Sequence, residues 1–204
     1  EVWRQVAEDF APFDVDVTEA LAKHGTAKLV MRVRDSPSDL EQPRGKQYWA
    51  PVPESIFYTP TSGIWQNVWL EVVPRTRIAD SSHGTVLQST DIETGVLKAK
   101  VCVLGRRAGA KYDVEIEGSI GGVSVGTTRQ ALPKDKDYVR LDLGLKVPAE
   151  KQKELPGALT SSAPLDDDSC WRDGLALWSP DHPLLYDLKL RLSDSTVAQL
   201  DEVD

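Results

Sequence analysis

Apolar and polar residues alternate with a period of two along most of this chain, and helical periodicity is nearly absent. Phe13, Val15 and Val17 alternate with Asp14, Asp16 and Thr18, and Leu29, Met31 and Val33 stand against Lys28, Arg32 and Arg34. Both segments read as half-buried strands. Between them, residues 16–21 are expected to make a short helical turn or tight connection that Gly25 closes. Ile64, Gln66, Val68, Leu70 and Val72 fall on one face of a further predicted strand, while Trp65, Asn67, Trp69, Glu71 and Val73 fall on the other. Large apolar groups on both faces predict a strand covered on both sides.

After Pro74 the alternation restarts. Leu97, Ala99, Val101 and Val103, then Tyr112, Val114 and Ile116, then Val139, Leu141, Leu143 and Leu145 each define one apolar strand face. Near the end Leu184, Tyr186, Leu188, Leu190 and Leu192 do the same, entered through a bend at Pro180 and Pro183 next to Trp178. Short strands separated by glycine or charged turns predict an immunoglobulin-like sandwich from residue 75 onward. Two stretches break the rhythm. Residues 34–60 carry Pro37, Pro43, Pro51, Pro53 and Pro60, with Arg44, Lys46, Gln47, Tyr48 and Trp49 at their centre, and a loop that long is functional or disordered. Residues 149–173, rich in Glu, Lys, Pro, Ser and Asp, are expected to be a mobile surface insertion.

Composition narrows the function more than the fold. With 204 residues, 40% apolar content and six tryptophans, the chain can build a sizeable core in one or two domains. A net charge of −8, with no basic run longer than Arg106-Arg107, argues against a nucleic-acid backbone as partner. No apolar run approaches the roughly 18 residues that span a bilayer, so no membrane partner is expected. Cys102 and Cys170 lack zinc-ligand spacing and are read as ordinary thiols. Asp166-Asp167-Asp168 lacks the spaced ligands and glycine of a calcium loop and is read as a solvated acidic run. His24, His83 and His182 sit beside Gly or Pro, and no serine lies in a nucleophile elbow. No metal, cofactor or catalytic residue is therefore assigned.

Two segments carry a resemblance. Pro43-Arg44-Gly45-Lys46-Gln47 followed by Ile56-Phe57-Tyr58-Thr59-Pro60-Thr61-Ser62-Gly63-Ile64-Trp65-Gln66, and much later Leu177-Trp178-Ser179-Pro180-Asp181-His182-Pro183-Leu184-Leu185-Tyr186, resemble in that order the two β-domains that precede the barrel in glycoside hydrolase family 2. Asp14-Val15-Asp16-Val17-Thr18 with Ala20-Leu21 is similar to a strand and turn of that family's sugar-binding jelly roll, and residues 200–204 resemble the last strand of its second domain. The resemblance implies an all-β chain, with residues 1–74 as the later half of the jelly roll and residues 75–204 as the immunoglobulin-like sandwich. It further implies carbohydrate as the ligand of the parent enzyme and a catalytic barrel following Asp204.

The family's retaining chemistry uses two barrel glutamates roughly 5–5.5 Å apart. The only asparagine here, Asn67, precedes Val68, so the family's Asn-Glu pair is absent. A (β/α)₈ barrel needs on the order of 250 residues, and none is accommodated after Pro74. The chain alone is accordingly expected to be inactive. Its amino end departs from the family, since only residues 4–9 stand where an Asn-Gly hairpin and a Gly-Gly pair are usual. A half jelly roll also predicts unpaired edges and an uncovered apolar face.

Arg44, Lys46, Gln47 and Trp49 are the substrate-binding candidates, an aromatic face with polar donors; the alternative is that they pack the loop against the sheet. Gly63, Ile64, Trp65, Trp69, Trp178, Pro180, Pro183 and Tyr186 are read as structural, with Trp65, Trp69 and Trp178 in the core. A free-standing carbohydrate-binding or adhesion module is the alternative function.

Overall fold

A computed structural model describes residues 12–24, 28–160, 170–194 and 199–204. The readings at residues 1–11, at Gly25 and at Asp166–Asp168 lie outside these. The chain divides into two compact units, Glu1–Glu71 and Val72–Asp204.

The described residues of the second unit form ten strands: β1 Arg77–Ile78, β2 Val86–Asp91, β3 Val96–Leu104, β4 Tyr112–Ile120, β5 Val123–Ala131, β6 Tyr138–Gly144, β7 Trp171–Arg172, β8 Leu175–Ala176, β9 Asp187–Asp194 and β10 Asp201–Val203. β3 is the centre of one antiparallel sheet. β6 lies along one side of it, from Val96↔Gly144 to Cys102↔Tyr138, and the other side is shared by β2 and β1. The second sheet runs β10-β9-β4-β5, also antiparallel. Four strands in one antiparallel sheet and four in the other, with the β2–β3 and β4–β5 hairpins each kept within one sheet, make a two-sheet β-sandwich. The all-β class expected from the alternation is what the structure has.

The core follows from that alternation. Leu97, Ala99, Val101 and Val103 of β3 and Val139, Leu141 and Leu143 of β6 face Tyr112, Val114 and Ile116 of β4 and Leu190 and Leu192 of β9, all buried. Each fully buried aliphatic side chain of this kind stabilises by about 1.5–3 kcal/mol relative to exposure. β4 and β5 are joined through Gly121-Gly122, with φ of 56° and 81° at the two glycines and Ile120 paired to Val123. Positive φ at both central residues matches a primed two-residue hairpin, whose twist suits the flanking strands. The sequence reading overlooked this Gly-Gly hairpin and the β5 strand after it.

Two expectations are corrected. The described parts of the segment expected to be a surface insertion, residues 149–160 and 170–173, are anchored in the core. They bring Leu155, Cys170 and Trp171 into the core, the last with no exposed surface, and the Trp171 indole N–H donates to Leu159 O at 3.1 Å. The polar composition concealed a few apolar anchors spaced too irregularly to show as periodicity; residues 161–169 lie outside the described set. In the first unit, the strands expected near residues 13–17, 28–34 and 64–73 do not form among the described residues. A strand exists only through the ladder that satisfies its backbone N–H and C=O groups, and the described residues of the unit contain a single isolated bridge, Gln47↔Tyr58. The short helix is present: α1 spans Thr18–His24, started by the Thr18 N–H donating to Asp16 Oδ1 at 2.9 Å.

Candidate functional site

The four candidate binding residues lie on one loop of the first unit. Gly45, at φ 58°, turns the chain so that Gln47 N–H reaches Arg44 O at 3.1 Å. Tyr48 N–H then donates to Tyr58 O at 2.8 Å and Tyr58 N–H to Lys46 O at 2.9 Å, which clips the two sides of the loop together. Gln47 Oε1 accepts from Thr61 N–H at 2.5 Å. Gln42 ties down the opposite rim by donating to Asp35 Oδ1 at 2.7 Å.

The clipped loop encloses a pocket of about 90 Å³, lined by Asp35, Arg44, Gln47, Tyr48, Thr61 and Ser62 among others. Arg44 and Gln47 therefore meet at one place. Lys46 does not join them; its side chain is exposed and its carbonyl serves the loop bridge. Trp49 stands in an aromatic cluster, 4.4 Å between centroids from Tyr48 and edge-on to Phe57 at 5.5 Å, and keeps 46% of its surface exposed. Packing and presentation are thus both features of Trp49.

Arg44 Nη1 is buried without a hydrogen-bond partner, and no other buried side-chain polar atom among the described residues is in that position. A buried donor without an acceptor costs about 1–3 kcal/mol, more for a charged group. This guanidinium therefore has free capacity for an acceptor. Small-molecule sites run to about 300–1,000 Å³, so a 90 Å³ pocket accommodates one polar substituent and not a pyranose ring.

The motif residues divide between scaffold and surface. Gly63 has φ 130°, and a Cβ there would meet nothing within 4 Å. Its role is conformational, in a region that L side chains rarely enter. Trp65, Trp69 and Trp178, expected in the core, are 67%, 73% and 61% exposed, and Ile64 is exposed at 44%. Among the described residues no ladder forms on residues 64–73, so no sheet fixes the two faces expected there for Trp65 and Trp69.

The bend holding Pro180 and Pro183 is closed by Ser179 N–H to His182 O at 3.0 Å and His182 N–H to Ser179 O at 3.1 Å. Pro180 occupies the second position of that turn, where its fixed φ is favoured. Tyr186 follows, half-buried, and its hydroxyl accepts from the Ala176 N–H at 2.8 Å. Burial pushes its pKa up to about 12, opposed in part by that N–H. A tyrosine at the entrance of an inner strand, bonded back to upstream backbone, is the tyrosine corner of immunoglobulin-like sandwiches.

Clustered carboxylates occur on the outer face of the β10-β9-β4-β5 sheet. Arg191 Nη1 lies 2.9 Å from both Glu115 and Glu117, and its Nε donates to Glu202 at 2.7 Å. The hydrogen bonds to Glu202, Glu115 and Glu117 raise the guanidinium pKa further above its usual value. Acid/base hydrolysis needs two carboxyls driven to different protonation states. A trio sharing one arginine, with Lys189 3.5 Å from Glu202, is instead an ion-pair network on the sheet surface.

No family model and no curated protein matches the chain. Among solved structures it is similar to a glycosyl hydrolase family 2 member from Bacteroides cellulosilyticus, at 15% identity and TM-score 0.40, over 64% of this chain and 14% of that one. It is also similar to an FMN-binding β-glucuronidase from Facaelibacterium prausnitzii L2-6, at 16% identity and TM-score 0.38, over 64% of this chain and 16% of that one. The chain thus spans well under a fifth of the length of these proteins, and nothing of their activity transfers with the likeness.

Proposed function

We propose that this chain is the non-catalytic β-sandwich region of a family 2 glycoside hydrolase, whose parent protein hydrolyses O-glycosyl bonds in carbohydrate metabolism. The observation that carries the reading is the segment 177–186. Its sequence resembles the family's second β-domain, and in the fold it makes the proline turn and the Tyr186 corner that lead into β9. Residues 1–74 are then the later half of a jelly roll, residues 75–204 its immunoglobulin-like neighbour, and a catalytic barrel follows Asp204. The exposed apolar side chains of residues 64–72 fit a jelly-roll strand that packs against companion strands. In that setting the Arg44–Gln47 pocket takes a single polar group of a saccharide, and Trp49 offers it an apolar face.

Reading the coding sequence on both sides tests this directly. It is expected to encode a barrel after Asp204 with an Asn-Glu pair and a second glutamate, and the purified chain is expected to leave aryl-glycosides of galactose, glucuronic acid and mannose intact. A stop codon immediately after Asp204, together with saturable saccharide binding by the chain alone, would establish a free-standing binding module instead. Turnover that survives repurification and disappears on mutating a residue of this chain would overturn the non-catalytic assignment.

A further inference from the structure

A concavity of about 480 Å³ in the second unit opens between the β3–β4 turn and the β5–β6 turn. Its lining includes Arg106, Arg107, Lys111 and Lys134 against one carboxylate, Asp137, in a chain whose net charge is −8. The two guanidiniums are held in place. Arg106 Nη1 donates to Lys136 O and lies 3.1 Å from Asp137 Oδ1, while Arg107 pairs with Asp194, a carboxylate with 2% of its side chain exposed. Lys111 and Lys134 are exposed and have no ion-pair partner among the described residues. The floor between them is Ala108-Gly109-Ala110, which leaves room for a ligand. Positive charge continues on the adjoining surface, where Lys100, Lys136 and Arg140 stand 5.0, 5.7 and 5.0 Å from the Tyr138 ring centroid.

Like charges gathered on an acidic chain repel one another, and the ion pairs of Arg106 and Arg107 leave the charges of Lys111 and Lys134 uncompensated among the described residues. They do create a local potential that concentrates anions, and a concave, low-dielectric wall focuses it. Fixed guanidiniums match oxyanions with two parallel N–H donors, and unpaired ammoniums supply further charge. The volume lies within the small-molecule range of about 300–1,000 Å³ and exceeds the need of a single inorganic ion. From these observations we infer that the cleft formed by Arg106, Arg107, Lys111 and Lys134 binds a small organic anion carrying carboxylate, phosphate or sulfate groups. The inference stands on the second unit alone and does not depend on the glycosidase reading.

Calorimetric titration of the full 204-residue chain at low ionic strength tests it, with citrate, inorganic phosphate and neutral sucrose as probes. Citrate is expected to bind saturably with one site and more tightly than phosphate, and sucrose to give no heat. The Lys111→Gln/Lys134→Gln double variant, whose side chains the fold does not use, is expected to melt normally and weaken citrate by about tenfold or more, about 1.4 kcal/mol. Lys153→Gln, an exposed cation outside the cleft, is expected to change nothing. Phosphate binding as tightly as citrate would reassign the cleft to inorganic ions. Absence of saturable citrate binding below about 1 mM, equal weakening by Lys153→Gln, or tight salt-sensitive binding of single-stranded DNA that citrate does not displace would each overturn the proposal.

Discussion

Of the six tryptophans, the one with no exposed surface is Trp171 in the described structure, and it sits in a segment whose composition reads as solvent-facing. Its indole ring fills the core and its N–H is satisfied by Leu159 O. Trp171→Ala is expected to cost about 3–5 kcal/mol, read as a lower urea midpoint of the main β-sheet circular-dichroism transition. Trp65→Ala, at a position 67% exposed, is expected to shift the same midpoint by less than about 1 kcal/mol. Equal effects would mean that Trp65 is as deeply packed as its sequence setting suggests. Tyr186 carries a pH signature. Its pKa, about 12 in the fold against 10 for a free phenol, is raised, so its contribution is complete below pH 10 and is lost as pH rises from 10 toward 12. Tyr186→Phe is expected to flatten that alkaline decline in a stability profile. It should also lower stability at pH 7 by about 1–3 kcal/mol, because the Ala176 N–H loses its acceptor.

At the level of elements, the β10-β9-β4-β5 sheet presents charge outward where β3 and β6 present leucine and valine inward. Arg191 holds Glu115 and Glu117 of β4 and Glu202 of β10 from a central strand, so one side chain cross-links three strands. Arg191→Gln leaves three carboxylates gathered on adjacent strands, and like charges opposite one another destabilise a sheet. The variant is expected to melt below wild type at low ionic strength, with the gap narrowing at about 1 M salt, where the Debye length falls to about 3 Å. A gap independent of salt would show that packing of the arginine stem, and not its charge, is what the sheet loses.

Across the whole molecule the two units differ in how they are held. The second unit has two paired sheets around a continuous buried core. The first has one helix, one bridge and a clipped loop among its described residues, with apolar side chains from Leu29 to Val33 and from Ile64 to Leu70 in solvent. Resistance to proteolysis tracks buried contacts and paired backbone. Limited digestion is therefore expected to remove the first unit and leave a fragment beginning near Val72. Recovery of an intact first unit after digestion of the second would contradict this assignment of stability.

The sequence alone determined the faces of β3, β4, β6 and β9, because period-two alternation of Leu, Val and Ile against Lys, Asp and Glu leaves one register in which the apolar side is buried. It also indicated the bend at Pro180 and Pro183 and a helical turn or tight connection at residues 16–21, where the structure has the helix Thr18–His24; both rest on local backbone preferences. Only the tertiary structure decided which tryptophan is core, since burial depends on whether a second layer covers a strand and no alternation pattern contains that information. It alone brought Arg44 and Gln47 to one pocket and kept Lys46 out of it. Arg106, Arg107, Lys111 and Lys134 were legible individually, yet the cleft they form required two turns from different strands to meet at one end of the sandwich. Residues 13–17 and 64–73 show the reverse limit: the alternation is present, but a strand is a property of pairs, and the pairing that would realise it is not in the described chain.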